Sequence, residues 1–434
     1  MKTDENEKAI EEINKIDNSI PEKTGPISYA DLEAVMSKWL LIKDIGLLRI
    51  VLAAVIANKL NADPVWIFIV AAPGATKTEF IRGLNKIEGI YPISDLTPNT
   101  FLSGQKGENG SLLLRLPSGT IFTYKDFTTV LSMHRDKQQA IIAQLREIFD
   151  GYYRKEFGTG ETKTWEGKIG FIAGVTSVID KHYEIYSVLG ERFIQYRPVQ
   201  PNPIEVAKKA MRNSGVDKQM RDEIQNAMAS FVAGIELPEG RVEISPELED
   251  KIAHLAAFCV RARSGIIRDG YSTREIDFIP ETELPTRLAK QLITLYTGLT
   301  FVGHISTEAD YELIKKVALD SLPKKRKLVL GILIENKDEH LNTKKIGLKI
   351  NYPTNTTRRA LEDLHALGLI SKEGKGQGSP DEWWVSKSTL YLLEKAGLDS
   401  LVLEKKEKEG EETSLPETSE ESVEEDVDEV FDKF

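Results

Sequence analysis

Residues 65–80 read VWIFIVAAPGATKTEF, and this stretch decides the fold. Its first six residues, from Val65 to Val70, are all apolar. An unbroken apolar run of this length marks a strand buried on both faces of a sheet, as in parallel α/β folds. The run passes directly into Ala71-Ala72-Pro73-Gly74-Ala75-Thr76-Lys77-Thr78, and a helical pattern starts at about Thr78. Against the phosphate-loop pattern G-x-x-x-x-G-K-[ST], Lys77 and Thr78 match. Ala71 and Thr76 replace the two glycines, and Gly74 lies inside the loop. The chemistry needs backbone N–H groups curled round phosphates at a helix N-terminus, a lysine for the β- and γ-phosphates and a hydroxyl for Mg²⁺. Pro73, Gly74, Ala75, Thr76, Lys77 and Thr78 are therefore the candidate nucleotide-binding residues. Thr76 is a departure, because a β-branched residue fits poorly where glycine supplies freedom. The alternative is an ordinary βα turn with an exposed lysine.

Outward from the loop, two more apolar runs read as strands. One covers residues 119–124 and ends at Lys125-Asp126; the other covers 169–175 and ends at Thr176. A helix over 136–149 and a hairpin over 152–168 lie between them. Strands alternating with helices indicate a parallel sheet with crossover helices. Upstream, apolar residues at helical spacing run from Tyr29 to Lys59, until Asp63 and Pro64 break the pattern. Residues 203–322 are mostly helical. Then come three short helices (327–336, 343–349, 354–367) and a strand, glycine-rich turn and strand over 369–385, which is the winged-helix plan. The expected organisation is an unstructured polar segment (1–25), an α/β core (26–202), a helical lid (203–322), a winged-helix domain (323–400) and a low-complexity acidic tail (401–434).

Composition narrows the function. The chain has 434 residues, 41% hydrophobic and 29% charged, which is globular composition with enough apolar material for a sizeable core. One cysteine, Cys259, excludes a disulfide framework, a cysteine-based zinc site and an iron–sulfur cluster, and six scattered histidines argue against a histidine-rich metal centre. The acidic, polar N-terminus is unlike a secretory signal. The most apolar stretch, residues 39–56, is interrupted by Lys43, Asp44 and Arg49, so no membrane span is expected and a cytoplasmic protein is. The net charge of −11 is uneven: residues 404–434 hold 14 acidic and 4 basic residues, whereas 324–397 hold 14 basic and 9 acidic. The local balance permits a nucleic-acid partner that the overall charge would argue against.

The order of motifs resembles an AAA+ ATPase: phosphate loop, strand with terminal Asp126, helix, hairpin, strand ending at Thr176, Gly190-Glu191-Arg192-Phe193, then a lid helix beginning Pro285-Thr286-Arg287. Residues 139–176, QAIIAQLREIFDGYYRKEFGTGETKTWEGKIGFIAGVT, resemble the branch holding the minichromosome-maintenance helicases and the enhancer-binding activators. The segments KDFTTVLSM, QLREIFDG, WEGKIGFIAGVT and YSVLGERF are similar to uncharacterised phage and mobile-element ATPases of that class. The resemblance spans residues 63–322 and the winged helix. It implies that Lys77 and Thr78 bind phosphate and Mg²⁺, and that Asp126 organises the metal. It implies that Thr176 is the first sensor, Arg192 an arginine finger reaching a neighbouring subunit, and Arg287 the second sensor. Phe127 stands where the catalytic Glu belongs, so Glu147 or Glu79 would have to orient the water. The GAFTGA loop of the activators is missing between Thr78 and Asp126.

Candidate DNA contacts fall in three places. The helix from Thr354 carries Asn355, Thr357, Arg358 and Arg359 in its first turns, where a recognition helix reaches base edges and phosphates. The wing carries Lys372 and Lys375. The hairpin carries Arg154 and Lys155 beside Lys163 and Lys168, and in related motors such a hairpin lines a pore. Each set also reads as a solvated or protein-binding surface. One of Trp383 and Trp384 is expected to pack the wing, since strand neighbours face opposite ways. The tail ends DVDEVFDKF, a docking peptide for a replication partner or a solubilising run. The expectation is an oligomeric ATP-dependent motor on DNA, a helicase or helicase loader, with a hexameric ring among the open sizes. The alternative is an ATP-gated DNA-binding regulator or adaptor with little hydrolysis.

Overall fold

The computed structural model describes residues 25–74, 77–107, 110–181, 192–240, 242–269, 275–374, 380–398 and 400–401. The N-terminal segment, Ala75, Thr76, Lys375 and the acidic tail therefore lie outside the described residues.

A five-stranded parallel sheet forms the centre, in the order β2 (Ile90–Ile93), β3 (Ile121–Tyr124), β6 (Gly170–Val175), β1 (Trp66–Val70) and β7 (Phe193–Tyr196). Every residue of β1, β3, β6 and β7 is buried, as the apolar runs require. Alternation divides them between two cores. Ile67, Ile69, Ile172 and Ile194 face an aliphatic layer that includes α1 (Tyr29–Trp39) and the almost wholly buried α2 (Ile45–Lys59). Trp66, Phe68, Phe122, Phe171 and Phe193 face an aromatic layer closed by α6 (Arg135–Phe149) and the hairpin β4 (Tyr152–Glu156) and β5 (Thr162–Glu166). Stacked Phe68 and Phe193, 4.0 Å between centroids, sit in the middle of that layer.

The single helical run expected over 29–59 is two helices. Apolar Leu40, Leu41 and Ile42 continue the pattern through the break, but Asp44 is drawn into tertiary bonds, accepting from the Tyr196 hydroxyl (2.8 Å) and the Val199 amide (3.0 Å). Between β1 and β3 lie α3 (Lys77–Gly83) and α4 (Leu112–Arg115); α5 (Thr128–Leu131) follows β3. After the sheet come α7 (Pro203–Arg212), α8 (Asp217–Ala233), α9 (Pro246–Arg263), a small ladder of β8 (Ile267–Arg268) with β9 (Ile276–Phe278), α10 (Thr286–Thr300) and α11 (Thr307–Asp320). The C-terminal part is α12 (Lys324–Glu335), β10 (Leu341–Asn342), α13 (Thr343–Ile350), α14 (Thr354–Ala366), an antiparallel pair β11 (Ile370–Glu373) and β12 (Glu382–Val385), and α15 (Lys387–Lys395). The described residues through Leu401 form one compact unit, so the segments separated at 202 and 322 in the sequence pack together. Among the described residues no helix is long and apolar enough to cross a membrane.

Candidate functional site

The carboxyl ends of parallel strands are where open α/β sheets place ligands, and Lys77, Thr78, Asp126 and Thr176 stand there; Arg192 instead precedes β7 at the opposite edge of the sheet, where Gln291 of α10, one turn beyond Arg287, donates to its carbonyl. Beyond β1 the chain turns through Gly74, whose φ of +75° belongs to the left-handed region that glycine enters freely. Lys77 opens α3, and its side chain is folded back and buried. Nζ donates to the carbonyls of Ala71 (2.9 Å) and Ala72 (3.1 Å). Burial pushes its pKa down, and the Asp126 carboxylate pushes it back up. Lys77 and Asp126 thus face one another electrostatically across the ends of β1 and β3. Thr78 follows, half-buried. The Glu79 carboxylate is occupied by Arg82 (2.6 Å) and by Arg221 of α8 (3.1 and 3.2 Å), while Glu147 is exposed on α6.

Asp126 stands where the chain leaves β3, just before α5. Its Oδ1 accepts from the Thr128 amide (3.0 Å), a capping bond at the start of α5. An ionised carboxylate has about four acceptor sites, so that bond leaves capacity for a cation. Phe127, in the place of the catalytic Glu, points into the aromatic core and is fully buried. Its centroid lies 5.0 Å from Phe68 and 5.8 Å from Phe193, and its amide donates to Gly174 O (2.7 Å). At this position a carboxylate would be driven into the core. Gly174 permits the close approach, because a Cβ there would stand 2.5 Å from the Lys125 carbonyl. Thr176 is bound to Thr128, which the sequence reading missed. The two hydroxyls are 3.1 Å apart, and the Thr176 amide donates to Thr128 Oγ1 (3.0 Å).

A narrow open cleft with about 20 Å³ of free volume, room for about one water, adjoins Lys77, lined among others by Ile42, Lys43, Asp44, Phe80, Val199 and Pro201. The Asp44 bonds to Tyr196 and Val199 bring these distant segments together, and burial with the Asp44 charge pushes the Tyr196 phenol up. The signals available in sequence were faint: the break after α1 and the prolines at 198, 201 and 203. Arg192 is buried, with its guanidinium on Asp150 (2.7 Å) and over the Phe149 ring. Its carbonyl accepts from Gln291 (2.6 Å). Arg287 pairs with Glu283 one turn before it (2.5 Å).

Some candidate DNA contacts change character. Arg154 is exposed and pairs with Glu156. Lys155 is turned inward to the carbonyls of Pro98 (3.2 Å) and Leu102 (3.5 Å), and Lys163 is likewise spent on the carbonyls of Gln105 and Gly107. Neither ammonium is presented at the hairpin surface. On α14, Asn355 and Arg358 are exposed and Arg359 is half-buried, but Thr357 is 1% exposed, with its hydroxyl on Pro353 O (3.1 Å). Thr357 shares the inner face with Leu361 and Leu364, so it does not present itself to a groove. Lys372 is exposed at the hairpin and pairs with Asp381 (2.9 Å). Trp383 is buried and donates to Thr343 (3.1 Å), whereas Trp384 stacks on His340 at 4.0 Å.

Among the described residues no group of three or more His, Cys, Asp or Glu side chains converges to hold a metal by itself. No family model and no curated protein matches the chain. Among solved structures, the A-form apo structure of the NrS-1 C-terminal region, CTR(305-718), aligns with a TM-score of 0.29 and 13% identity, covering 84% of this chain and 77% of that one.

Proposed function

We propose that the chain is an ATP-binding protein of the AAA+ type that acts on DNA. One observation carries the reading: Lys77, at the end of the central strand, is folded into the strand–helix turn with the Asp126 carboxylate acting on it. Lys77 would release the two loop carbonyls to meet β- and γ-phosphates. Hard oxygen donors from Thr78 and Asp126 fit Mg²⁺, which when bound would neutralise charge between the phosphates. In this reading α7–α11 are the lid, α12–α15 with their small sheet are a winged helix, and Asn355, Arg358 and Lys372 meet DNA. The setting would be cytoplasmic replication of a phage or mobile element, with the chain as motor or loader in a ring.

A second reading has an observation in its favour. Phe127 is locked in the core, Glu79 is held by two arginines, and Glu147 is exposed on the last turn of α6, close to the Asp150–Arg192 pair at the far edge of the sheet, which leaves hydrolysis without an evident base and suits an ATP-gated DNA-binding regulator. One experiment tests both: ATP affinity and ATP turnover of the full chain, with and without single- and double-stranded DNA. Absence of ATP binding refutes the first reading and its alternative together. Binding without turnover selects the second.

A further inference from the structure

A groove runs along α10. Two adjoining cavities make it, one of about 360 Å³ against Lys290 and Ile293, the other of about 340 Å³ against Thr300 and His304. Val242, Ile244 and Thr297 line both. Lys290 and Thr300 lie ten residues apart on the helix, so at about 1.5 Å per residue the groove extends for about 15 Å. Its floor has no polar group to spare. Thr294, Thr297 and Thr300 donate their hydroxyls to carbonyls of their own helix, those of Lys290 (2.7 Å), Ile293 (3.0 Å) and Thr297 (2.8 Å). The polar side chains at its two ends are paired as well, Lys290 with Asp63 (2.9 Å) and His304 with Asp310 (2.6 Å). What the groove offers an occupant is apolar: Val242 and Ile244 on one wall and Ile293 on the other, all half-buried.

The first described residues lie beside the His304 end. Pro26 packs on Gly234, where a Cβ would stand 2.5 Å from the proline. The Tyr29 ring covers Gly303, the residue before His304, where a Cβ would stand 2.8 Å away. The Tyr29 hydroxyl is buried there with no hydrogen-bond partner among the described residues. Residues 1–24 precede this point and lie outside the described residues. Apart from Met1, their large apolar side chains are four isoleucines, Ile10, Ile13, Ile16 and Ile20, in the run AIEEINKIDNSIP. On a helix these four share a stripe roughly 120° wide with Ala9, and Pro21 marks its end. Ile10 and Ile20 are also ten residues apart, about 15 Å as a helix, which is the length of the groove.

We propose that residues 9–20 of the same chain fill this groove as a helix, with the isoleucine stripe against α10 and the 242–244 wall. A polar segment with one apolar stripe does not fold alone and orders itself on a matching surface. Ile20 lies at the His304 end and Ile10 at the Lys290 end, while Glu11, Lys15 and Asn18 face solvent. Five residues separate Ile20 from Gly25, a reach of up to about 17 Å. So short a tether sets an effective concentration in the millimolar range, which favours the chain's own segment over that of another copy. Docked there, residues 9–20 clamp α10 to the 242–244 wall. No residue of the phosphate-loop site takes part, and the readout below is not ATP, so this inference and the proposed function stand or fall separately.

The test is hydrogen exchange of the full chain, read by mass spectrometry. Amides of residues 9–20 should exchange about tenfold slower, or more, than in an isolated peptide of that sequence. Ile13→Asp, at the centre of the stripe and ahead of the folded body, should return them to the peptide's rate. Val242→Asp, on the groove wall, should do the same. Wild-type amides that exchange at the peptide's rate overturn the proposal, and so does protection that survives both substitutions. A second measurement places the segment without disturbing the stripe's centre. Cys259 is the only cysteine and is buried, so in a chain carrying Ile16→Cys and Val242→Cys the two new thiols are the pair open to oxidation. A disulfide formed at monomer mass supports the docking. A disulfide found only at dimer mass assigns the groove to the segment of a second copy and overturns it, as does the absence of any disulfide.

Discussion

Replacing Lys77 by Met should separate ligand binding from stability, lowering the first and leaving the second nearly unchanged. The ligand-free ammonium is buried, its charge partly desolvated, and satisfied by two carbonyls and the Asp126 charge. Met keeps the stem and its packing. The Ala72 carbonyl lies at an exposed residue and regains water; the Ala71 carbonyl is buried and loses a bond worth about 1 kcal/mol. Relief of the desolvated charge offsets that loss, so ligand-free stability should stay within about 1 kcal/mol of wild type. Binding is different. A charge-assisted phosphate contact is worth about 1.5–3 kcal/mol, from which the two broken carbonyl bonds subtract, leaving roughly a tenfold loss of ATP affinity. Thermal unfolding with and without MgATP reads both quantities. At saturating ligand a tenfold change in affinity removes about 1.4 kcal/mol of ligand stabilisation, or about 2 °C of the ATP-induced rise in Tm. An undiminished rise would refute the phosphate role. A ligand-free loss above about 2 kcal/mol would refute the account of a penalised, buried ammonium.

Gly174→Ala should cost about 1–3 kcal/mol, because the new Cβ meets the Lys125 carbonyl, and it should also weaken ATP binding by shifting Asp126; urea midpoints and the same Tm shift check this. Burial lowers Lys168 from 10.5 to about 8, so between those values the unfolded chain binds a proton that the folded chain does not. Stability should therefore rise with pH across that window, and Lys168→Met should reduce the rise when urea midpoints are compared from pH 7 to 10.5, leaving the smaller share of Lys77 and Lys155, which burial also lowers. On DNA, Arg358→Ala should lower the slope of log affinity against log salt by about 0.9, while Thr357→Val should leave the slope unchanged; anisotropy titrations at several salt concentrations decide.

The central strands were legible because burial on both faces leaves no polar position to blur the pattern. Strand β2 was not. It is a four-residue edge strand, half-exposed and containing Pro92, and such strands carry neither an apolar run nor a clean alternation. Lys77 and Thr78 could be placed from spacing, and Asp126 from its position after a strand. The direction of Phe127 could not, because it depends on how the chain leaves β3 under Gly174. Thr357 was a different failure: Ala360, Leu361 and Leu364 already fix the buried face of α14, and extending their period backward puts Thr357 inside. The cleft joins residues 42–44 to 198–201, a pairing made by Asp44, and no local pattern announces a bond across so much chain.

Three carboxylates show why the compact unit does not divide where the composition changes. Asp310 is fully buried and holds Arg49 of α2 together with His304 (2.6 Å), tying α11 to the sheet side. Asp363 of α14 holds Arg268 (2.6 Å) and Arg326 (3.2 Å), tying the candidate recognition helix to β8 and α12. Asp320 accepts from the Arg197 amide (2.8 Å), from Lys316 (3.0 Å) and from Lys327 of α12 (2.8 Å). Arg197 directly precedes the proline-rich segment that walls the cleft beside Lys77. One buried carboxylate therefore fastens both the cleft wall and the first helix of the C-terminal part. Breaking such a pair by removing one partner costs about 3–5 kcal/mol, since the other charge is left buried. Cutting the chain at residue 322 would strip Asp320 of Lys327, and Arg268 of the α14 carboxylates Glu362 and Asp363. The C-terminal part is thus built as a continuation of the body, and a cleft wall that shifts on binding nucleotide would bear first on Asp320 and, through it, on α12.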